Sequence, residues 1–197
     1  MRIVAGEFKG RVIEAPAGSG TRPTTDRVRE SIFSSVYSRK PDLSSTDVLD
    51  AFAGSGGLGI EALSRGAMSC TFFERDVSAR AVLEKNLSNL RLGHPRACVE
   101  GADVLIAAKN DMVHAPSGTF GLVLLDPPYA LEPKEVLAFL GTLAGVGCLE
   151  EGCTIVYEHA LANRDVLSLL VEKGDPFKLT GQKKYGKISV SYLKYVK

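Results

Sequence analysis

Residues 47–59, with the sequence DVLDAFAGSGGLG, join a short apolar run to a glycine-rich turn. The residues from Asp47 to Phe52 are typical of a strand, and a helix is expected from Leu58 to Arg65. Glycines permit positive φ angles and remove the Cβ atoms that would keep a ligand away from the backbone. The free N–H groups at the start of the helix point toward the same space. The segment therefore predicts a strand, a ligand-binding turn and a helix.

The same alternation of strand and helix continues along the chain. Further strands are predicted near Cys70–Glu74, Arg96–Glu100, Phe120–Asp126 and Cys153–Glu158, and further helices near Val77–Leu92, Pro133–Ala144 and Arg164–Glu172. Strands that alternate with helices pair in parallel, which indicates an α/β fold with a doubly wound sheet. The last two predicted strands, Phe177–Lys184 and Lys187–Val196, are joined directly through a turn. They add an antiparallel hairpin to a mostly parallel, seven-stranded sheet.

The first 40 residues do not follow this alternation. Two short extended runs around a glycine-containing turn predict a small β-hairpin, and an amphipathic run after them predicts a helix. The expected elements are strands at Arg2–Ala5 and Arg11–Ala15 and a helix that begins at Thr24 or Thr25 and ends before Pro41. We therefore predict an N-terminal extension over residues 1–40 and a larger domain over residues 41–197.

Composition excludes several classes of protein. The chain has 45% hydrophobic and 24% charged residues, and none of its apolar runs approaches the roughly 18 to 20 residues that span a bilayer. The N-terminus lacks the apolar segment of a secretory signal, so a cytoplasmic protein that does not enter a membrane is expected. The four cysteines have no C-x-x-C spacing, and the three histidines have no metal-ligand spacing. We expect free thiols and no metal site.

Charge is distributed unevenly along the chain. Residues 1–40 carry a net charge of +4 and residues 173–197 a net charge of +6, whereas residues 41–172 carry −9. If the two basic ends lie on one face, they would form a footprint for the phosphates of a nucleic acid. Two solvated basic ends are also common. The charge pattern alone leaves both interpretations open.

The glycine-rich turn fits two kinds of cofactor. Gly54, Gly56 and Gly59 satisfy the pattern G-x-G-x-x-G, and Glu74 follows about twenty residues after it, as a ribose-binding acid should. A nicotinamide cofactor and S-adenosylmethionine both suit these features. Asp50 favours S-adenosylmethionine, because its carboxylate precedes the turn and can reach an ammonium group, which a dinucleotide lacks. The candidate cofactor-binding residues here are Asp50, Phe52, Ala53, Gly54, Ser55, Gly56, Gly59, Glu74 and Arg75.

Asp103 follows the third predicted strand and has two interpretations. Its carboxylate could accept a hydrogen bond from an adenine amino group of the cofactor. It could also cap the start of a helix by accepting from backbone N–H groups. The two roles are compatible, and both stay open.

The tetrapeptide Asp126-Pro127-Pro128-Tyr129 follows a fully apolar strand. Open parallel sheets bind ligands at the carboxyl ends of their strands, so this motif and the glycine-rich turn should share one crevice. An exocyclic base amine is a poor nucleophile because its lone pair is delocalised, and hydrogen bonds to the Asp126 carboxylate and the Pro127 carbonyl would localise that pair. The ring of Tyr129 offers a stacking face for a flipped base. We predict Asp126, Pro127 and Tyr129 as catalytic residues.

These motifs resemble those of a known family. The glycine-rich turn with the acid-Pro-Pro-aromatic motif looks like the class I, Rossmann-like amino-methyltransferases. Several further segments closely resemble the bacterial 16S ribosomal RNA guanine-N2 methyltransferases of the RsmD type, and the likeness covers nearly the whole chain. These segments are Arg2–Gly6, Gly10-Arg11, Arg22–Phe33, Glu61–Gly66, Asn86-Leu87 and Tyr185-Gly186. The chain departs from the family in having Tyr129 where a phenylalanine is usual.

The resemblance implies a substrate and a role for particular segments of the chain. It implies methyl transfer from S-adenosylmethionine to N2 of one guanine of 16S ribosomal RNA, guanine 966 in the family, presented by the small ribosomal subunit. The segment from Arg22 to Arg29, including Thr25, would help to close the cofactor pocket and approach the RNA. A monomer is expected. The candidate RNA contacts are Arg11, Arg22, Arg27, Arg29, Lys183, Lys184 and Lys187.

Three other functions compete with this interpretation. A nicotinamide-dependent oxidoreductase would use the same glycine spacing but leaves the Asp-Pro-Pro-Tyr motif unexplained. A DNA adenine-N6 methyltransferase can share that motif, although 197 residues leave no room for a separate target-recognition domain. A non-enzymatic RNA-binding protein would explain the basic ends without requiring a methyl-donor pocket.

Overall fold

A computed structural model describes residues 1–15, 25–173 and 176–197 of the chain. Within these residues the helices are α1 (Asp26–Arg39), α2 (Gly57–Ser64), α3 (Val77–Asn89), α4 (Val104–Lys109), α5 (Pro133–Gly145) and α6 (Arg164–Lys173), with a 3-10 turn at Leu161–Asn163. The strands are β1 (Asp47–Asp50), β2 (Ser69–Phe73), β3 (Ala97–Glu100), β4 (Phe120–Leu125), β5 (Leu149–Ala160), β6 (Phe177–Tyr185) and β7 (Ile188–Tyr195).

The seven strands form one sheet in the order β3-β2-β1-β4-β5-β7-β6. Strands β1 to β5 are parallel to one another, whereas β7 runs antiparallel to both β5 and β6. The predicted α/β fold, with a mostly parallel sheet and a C-terminal antiparallel hairpin, is confirmed. The chain reverses its direction of travel across the sheet between β1 and β4, which is where doubly wound folds open a ligand crevice.

Helices cover both faces of the sheet. Val48 and its neighbour Leu49 are both fully buried, and they belong to two different apolar clusters because successive strand residues point to opposite faces. Ile32 of α1 and Leu63 of α2 pack on the first face, while Leu140 of α5 packs on the second. This double covering explains why the parallel strands are continuous apolar runs rather than alternating ones.

The N-terminal hairpin is smaller than expected. Arg2 and Val12 form a single antiparallel bridge, and no longer ladder connects the described residues before α1. The expected helix is present, and Thr25 caps it by accepting a hydrogen bond from Val28 N at 3.4 Å. Thr24 lies outside the described residues.

A buried carboxylate attaches the N-terminal residues to the rest of the molecule. Glu61 of α2 is fully buried and accepts hydrogen bonds from Val4 N at 2.8 Å, Ala5 N at 3.1 Å and Arg65 Nε at 2.7 Å. Several donors are what a buried charge requires. Ile3, with Phe8 and Ile13, also belongs to the apolar cluster that contains Val48 of β1. The boundary at residues 40 and 41 stays a prediction, and the residues before it share a core with those after it.

Strand β5 and helix α4 depart most from the prediction. Strand β5 begins at Leu149, which pairs with Phe120 of β4, rather than at Cys153, and it extends to Ala160, which pairs with Ile188 of β7. Helix α4 was not predicted as an element, since six residues are too few to show a helical period. In the part of the chain that the structure describes, none of the helices combines the length and apolar character needed to cross a membrane.

Candidate active site

A cavity of about 640 Å³ opens at the carboxyl edge of the parallel strands. Acidic residues at the ends of five neighbouring strands contribute to its wall. In spatial order across the sheet these are Asp103 after β3, Glu74 after β2, Asp50 of β1, Asp126 after β4 and Glu158 of β5. Phe52, Ala53, Ser55, Arg75 and the Pro-Pro-Tyr residues also line the cavity. The glycine-rich turn and the Asp-Pro-Pro-Tyr motif therefore share one crevice, as the sequence predicted.

Glycine is required at each of the three positions of the turn for a different local reason. Gly54 has φ +54°, lines the cavity, and has no atom within 4 Å of the place where a Cβ would stand. A Cβ on Gly56 would lie 2.5 Å from Leu83, and a Cβ on Gly59 would lie 2.3 Å from Phe72. Gly56 and Gly59 therefore let α2 approach the sheet and α3 closely. Neither is in the cavity wall, and their contact with the cofactor stays a prediction.

Asp50 is held at the base of the turn. Its side chain is 1% exposed, and Oδ2 accepts a hydrogen bond from Gly59 N at 2.8 Å. Burial raises the pKa of Asp50 to about 7, and the negative charges of Asp126 and Glu74 act in the same direction. A site that raises the pKa of a carboxyl group in this way favours a positively charged ligand.

Glu74 and Asp103 organise the loops on the cofactor side of the cavity. Glu74 Oε2 accepts from Gly54 N at 2.8 Å and Oε1 accepts from Asp76 N at 2.7 Å. Asp103 accepts from Leu105 N at 2.9 Å, so its role as a helix cap is confirmed. Arg75 Nη1 donates to the other oxygen of Asp103 at 2.8 Å. The ribose and adenine contacts of these residues stay predictions.

Asp126 and Pro127 lie deeper in the cavity than Tyr129. Asp126 is half-buried, and its removal from water raises the pKa of its carboxyl group to about 6. Pro127 is buried, whereas the side chain of Tyr129 is 59% exposed at the rim. An aromatic ring at the mouth of a cavity with a carboxylate below it is an arrangement that a flipped base can enter.

Glu158 and Met1 are among the cavity residues that were missed in the sequence. Glu158 is 4% exposed and lines the cavity beside the Asp126 motif. The sequence pattern could have indicated Glu158, because it is an acidic residue at the end of a predicted parallel strand, as Asp50 is. Met1 also lines the cavity, with its N-terminal ammonium group donating to Ile13 O at 3.0 Å. Only the fold of the N-terminal residues brings Met1 there, so no local pattern predicts it.

The candidate RNA contacts separate into exposed and buried residues. Arg29 is 1% exposed, donates to Asp26 Oδ1 at 2.7 Å and lies 3.6 Å from Glu61. The expectation of a surface phosphate contact is therefore wrong for Arg29, which contributes to the cavity wall instead. Thr25 caps α1 and is not in that wall. Arg22 lies outside the described residues. The remaining candidates are exposed: Arg11, Arg27, Lys183, Lys184 and Lys187.

The two basic ends of the chain meet beside the cavity edge. Tyr185 at the tip of the β6–β7 hairpin is hydrogen-bonded to Ser31 of α1, with 2.5 Å between their hydroxyl oxygens. Arg27 lies one helical turn before Ser31, on the same side of α1. Lys187 O accepts from Leu161 N at 2.9 Å, which places the hairpin tip next to the carboxyl end of β5. The structure thus brings Arg27 and the hairpin lysines toward one edge.

A group of potential metal ligands lies away from this cavity. Asp111, His114 and Cys148 place one ligand atom each within 4.8 Å of one another. None of the three lines the cavity. The spacing of the histidines along the sequence did not predict this grouping, because it depends on the packing of two loops.

The strand order and the cavity define a class of protein, the Rossmann-like class I methyltransferases. The solved structure of the Escherichia coli protein yhhF matches with a TM-score of 0.74 and 28% identity, over 100% of this chain and 98% of that one. The family described as Conserved hypothetical protein 95 matches residues 1–194. This chain therefore belongs to that family, which includes the RsmD-type methyltransferases.

Two curated relatives agree with this assignment. The Bacillus subtilis protein YlbH is 39% identical over 193 residues, which cover 95% of this chain and 99% of the relative. Ribosomal RNA small subunit methyltransferase D of Escherichia coli is 40% identical over 129 residues, which cover 66% of this chain and 60% of the relative. The suspected family is thus confirmed, and the chain is a methyltransferase.

Proposed function

We propose that this protein transfers a methyl group from S-adenosylmethionine to the exocyclic N2 of a guanine in 16S ribosomal RNA of the small subunit. The observation that carries the proposal is that the Asp-Pro-Pro-Tyr motif and the glycine-rich turn line one cavity. Relatives named ribosomal RNA small subunit methyltransferase D support the choice of substrate. We further propose that the protein acts as a cytoplasmic monomer.

The cavity fits S-adenosylmethionine in size and charge. Its volume of about 640 Å³ lies within the usual range for cofactor sites. Gly54 leaves open space against the backbone, and the acids along one side supply acceptors for an ammonium group, a ribose and an adenine. In this proposal Asp50 receives the ammonium group, Glu74 the ribose hydroxyls and Asp103 the adenine amine. The bound cofactor supplies an electrophilic methyl group on a positively charged sulfur.

The residues of the Asp-Pro-Pro-Tyr motif then act on the amine. Tyr129 stacks on the flipped guanine, while Asp126 and the Pro127 carbonyl accept hydrogen bonds from N2. The N2 lone pair forms a bond to the methyl carbon as the carbon–sulfur bond breaks, and its electrons return to sulfur. Positive charge develops on N2 in the transition state, and the Asp126 carboxylate stabilises it. Asp126 finally takes a proton from N2.

The substrate is expected to be a folded particle. Most of the described residues belong to the sheet, its covering helices or the short N-terminal segment, and the structure describes no separate domain for reading a sequence. Phosphate contacts from the exposed basic residues position an RNA without selecting a base. Selectivity for one guanine would then come from an unstacked nucleotide that the small subunit presents.

The test is transfer of a labelled methyl group to four acceptors: free 16S RNA, small subunits, intact ribosomes and duplex DNA. Small subunits from Escherichia coli cells that lack methyltransferase D would supply an unmethylated acceptor. We expect N2-methylguanine in the nucleoside digest, with small subunits labelled fastest. N6-methyladenine in DNA would establish the DNA methyltransferase alternative. Tight binding of NADH without binding of S-adenosylmethionine would establish the oxidoreductase.

A further inference from the structure

The row of carboxylates across the cavity extends one strand beyond the residues given a function above. Asp103, Glu74 and Asp50 lie on the side of the glycine-rich turn, and Asp126 follows on β4. Glu158 belongs to β5, on the far side of Asp126 from the cofactor residues. A ligand group that contacts Glu158 would therefore lie on the side of the reacting amine that faces away from the cofactor.

The strand register places Glu158 beside Asp126. Leu125 pairs with Tyr157, so the next residues on the two parallel strands, Asp126 and Glu158, are direct neighbours. Neighbouring strands are about 4.8 Å apart, and side chains at matching positions point to the same face. Both side chains line the cavity. Two carboxylates thus stand next to each other where the base must enter.

Burial determines which ligand groups Glu158 tolerates there. Its side chain is 4% exposed, and although it already has a partner within the protein, its carboxylate has lone pairs for more than one hydrogen bond. A ligand atom with a lone pair at this point would be repelled by the carboxylate, whereas an N–H group would be attracted to it. The group expected at Glu158 in the complex is therefore an N–H next to the amine that Asp126 holds.

Only one common base offers this pair of donors. In adenine and cytosine, the ring nitrogens beside the exocyclic amine carry lone pairs and act as acceptors. In guanine, the N1–H donor adjoins the N2 amine. We propose that Glu158 selects guanine by accepting a hydrogen bond from N1–H, while Asp126 and the Pro127 carbonyl hold N2. This inference rests on the proposed function and adds the residue that specifies the base.

The distinguishing experiment uses 2-aminopurine, which keeps the N2 amine but has a lone pair at N1. Small subunits would be reconstituted with 16S RNA that carries guanine or 2-aminopurine at the position labelled by the unaltered protein. We expect that protein to prefer guanine by about 10- to 100-fold in kcat/KM, since sites that bind a substrate N–H discriminate strongly. In Glu158→Gln the amide can donate to N1 of 2-aminopurine, so the preference should fall by about tenfold or more.

Two controls separate selection from folding. Glu151→Gln changes an exposed carboxylate at the other end of the same strand and should leave the preference unchanged. Cofactor affinity, measured by calorimetry, should stay within about twofold in Glu158→Gln. A purely structural role would lower the rates on both bases by the same factor, and that result would overturn the inference.

The possible failures are distinguishable. If the unaltered protein places no label on guanine N2, the proposed function fails. If it labels guanine but Glu158→Gln keeps the same preference over 2-aminopurine, only the assignment of Glu158 fails. If Glu158→Gln does not fold, Glu158→Ala tests the same point: it removes the carboxylate, so the preference for guanine should fall, whereas an unchanged preference would overturn the assignment of Glu158.

Discussion

At the scale of single residues, the charges of Asp50 and Asp126 depend on each other. Asp50 pairs with Leu124 in the sheet, so Asp126 lies two residues further along the neighbouring strand. Burial raises the pKa of Asp50 to about 7 and that of Asp126 to about 6. A nearby positive charge favours the ionised form of both groups and lowers both pKa values. The cavity is therefore a site whose protonation should change when a cation binds.

The first prediction concerns pH. Both groups bind protons more tightly in the folded than in the unfolded chain, so their contribution to the free energy of unfolding decreases as pH rises from about 4 to about 7. A cationic cofactor reverses this effect, and its affinity should increase over the same range and level off above about pH 8. Calorimetry near pH 6.5 in buffers of different ionisation enthalpy should show proton release. An affinity that does not change between about pH 5.5 and 8 would contradict this linkage.

The second prediction separates chemistry from binding. Asp126→Asn keeps the shape of the side chain but removes the negative charge that stabilises the transition state and takes the proton. Single-turnover methyl transfer should slow by about 100- to 10,000-fold, while cofactor affinity falls by a much smaller factor, because Asp50 rather than Asp126 receives the ammonium group. Asp165→Asn, which removes an exposed carboxylate in the first turn of α6, should keep the normal rate. Near-normal transfer by Asp126→Asn would remove it from the catalytic residues.

At the scale of elements, the strand–turn–helix unit β1–α2 shows how one motif serves two purposes. Gly54 faces the cavity, whereas Gly59 lies between α2 and the sheet, where a Cβ would approach Phe72, Cys70 and the Asp50 carboxylate within 3 Å. The glycine spacing was visible in the sequence because both purposes require glycine. Which glycine serves which purpose depends on where α2 packs, and no pattern within the segment contains that information.

The third prediction tests this division. Gly59→Ala should lower the free energy of unfolding by about 1 to 3 kcal/mol, because the added methyl group overpacks the helix–sheet contact. Gly141→Ala is the matched control, since Gly141 lies in α5 with no atom within 4 Å of its Cβ position. It should stabilise the protein by up to about 1 kcal/mol through helix propensity. Urea unfolding measures both, and equal effects at the two positions would disprove the packing role.

The difference between local sequence patterns and packing against distant residues also explains which other features could be predicted. The apolar strands β1 and β4 and the Asp126 motif are recognisable locally, because a buried parallel strand is a continuous apolar run and the cavity lies at its end. The prediction for Arg29 was wrong because its surroundings are set by the N-terminal residues and by Glu61, which accepts from Val4 N and Ala5 N far from it in sequence. Burial of a charged side chain is decided by such distant partners.

At the scale of the whole molecule, the fold turns a nearly neutral chain into one with a basic edge. The net charge is +1, yet the basic ends approach each other through the contact between Tyr185 and Ser31. Seven of the 23 acidic residues line the cavity, where a positively charged cofactor would offset their charge. An RNA can then contact the exposed lysines through its phosphates while a single base enters the acidic cavity.

The fourth prediction concerns the contribution of this basic edge to RNA binding. Replacing the hairpin residues Lys183, Lys184 and Lys187 by serine should weaken the binding of small subunits. The slope of log K against log salt concentration should become shallower, by up to about 0.7 to 0.9 for each phosphate that the variant no longer neutralises. Serine at Lys109, Lys178 and Lys194 removes the same charge from exposed positions away from the carboxyl edge and should change the slope little. Cofactor affinity should be unchanged in both variants. Equal salt slopes for the two variants would show that overall charge, rather than the hairpin tip, binds the RNA.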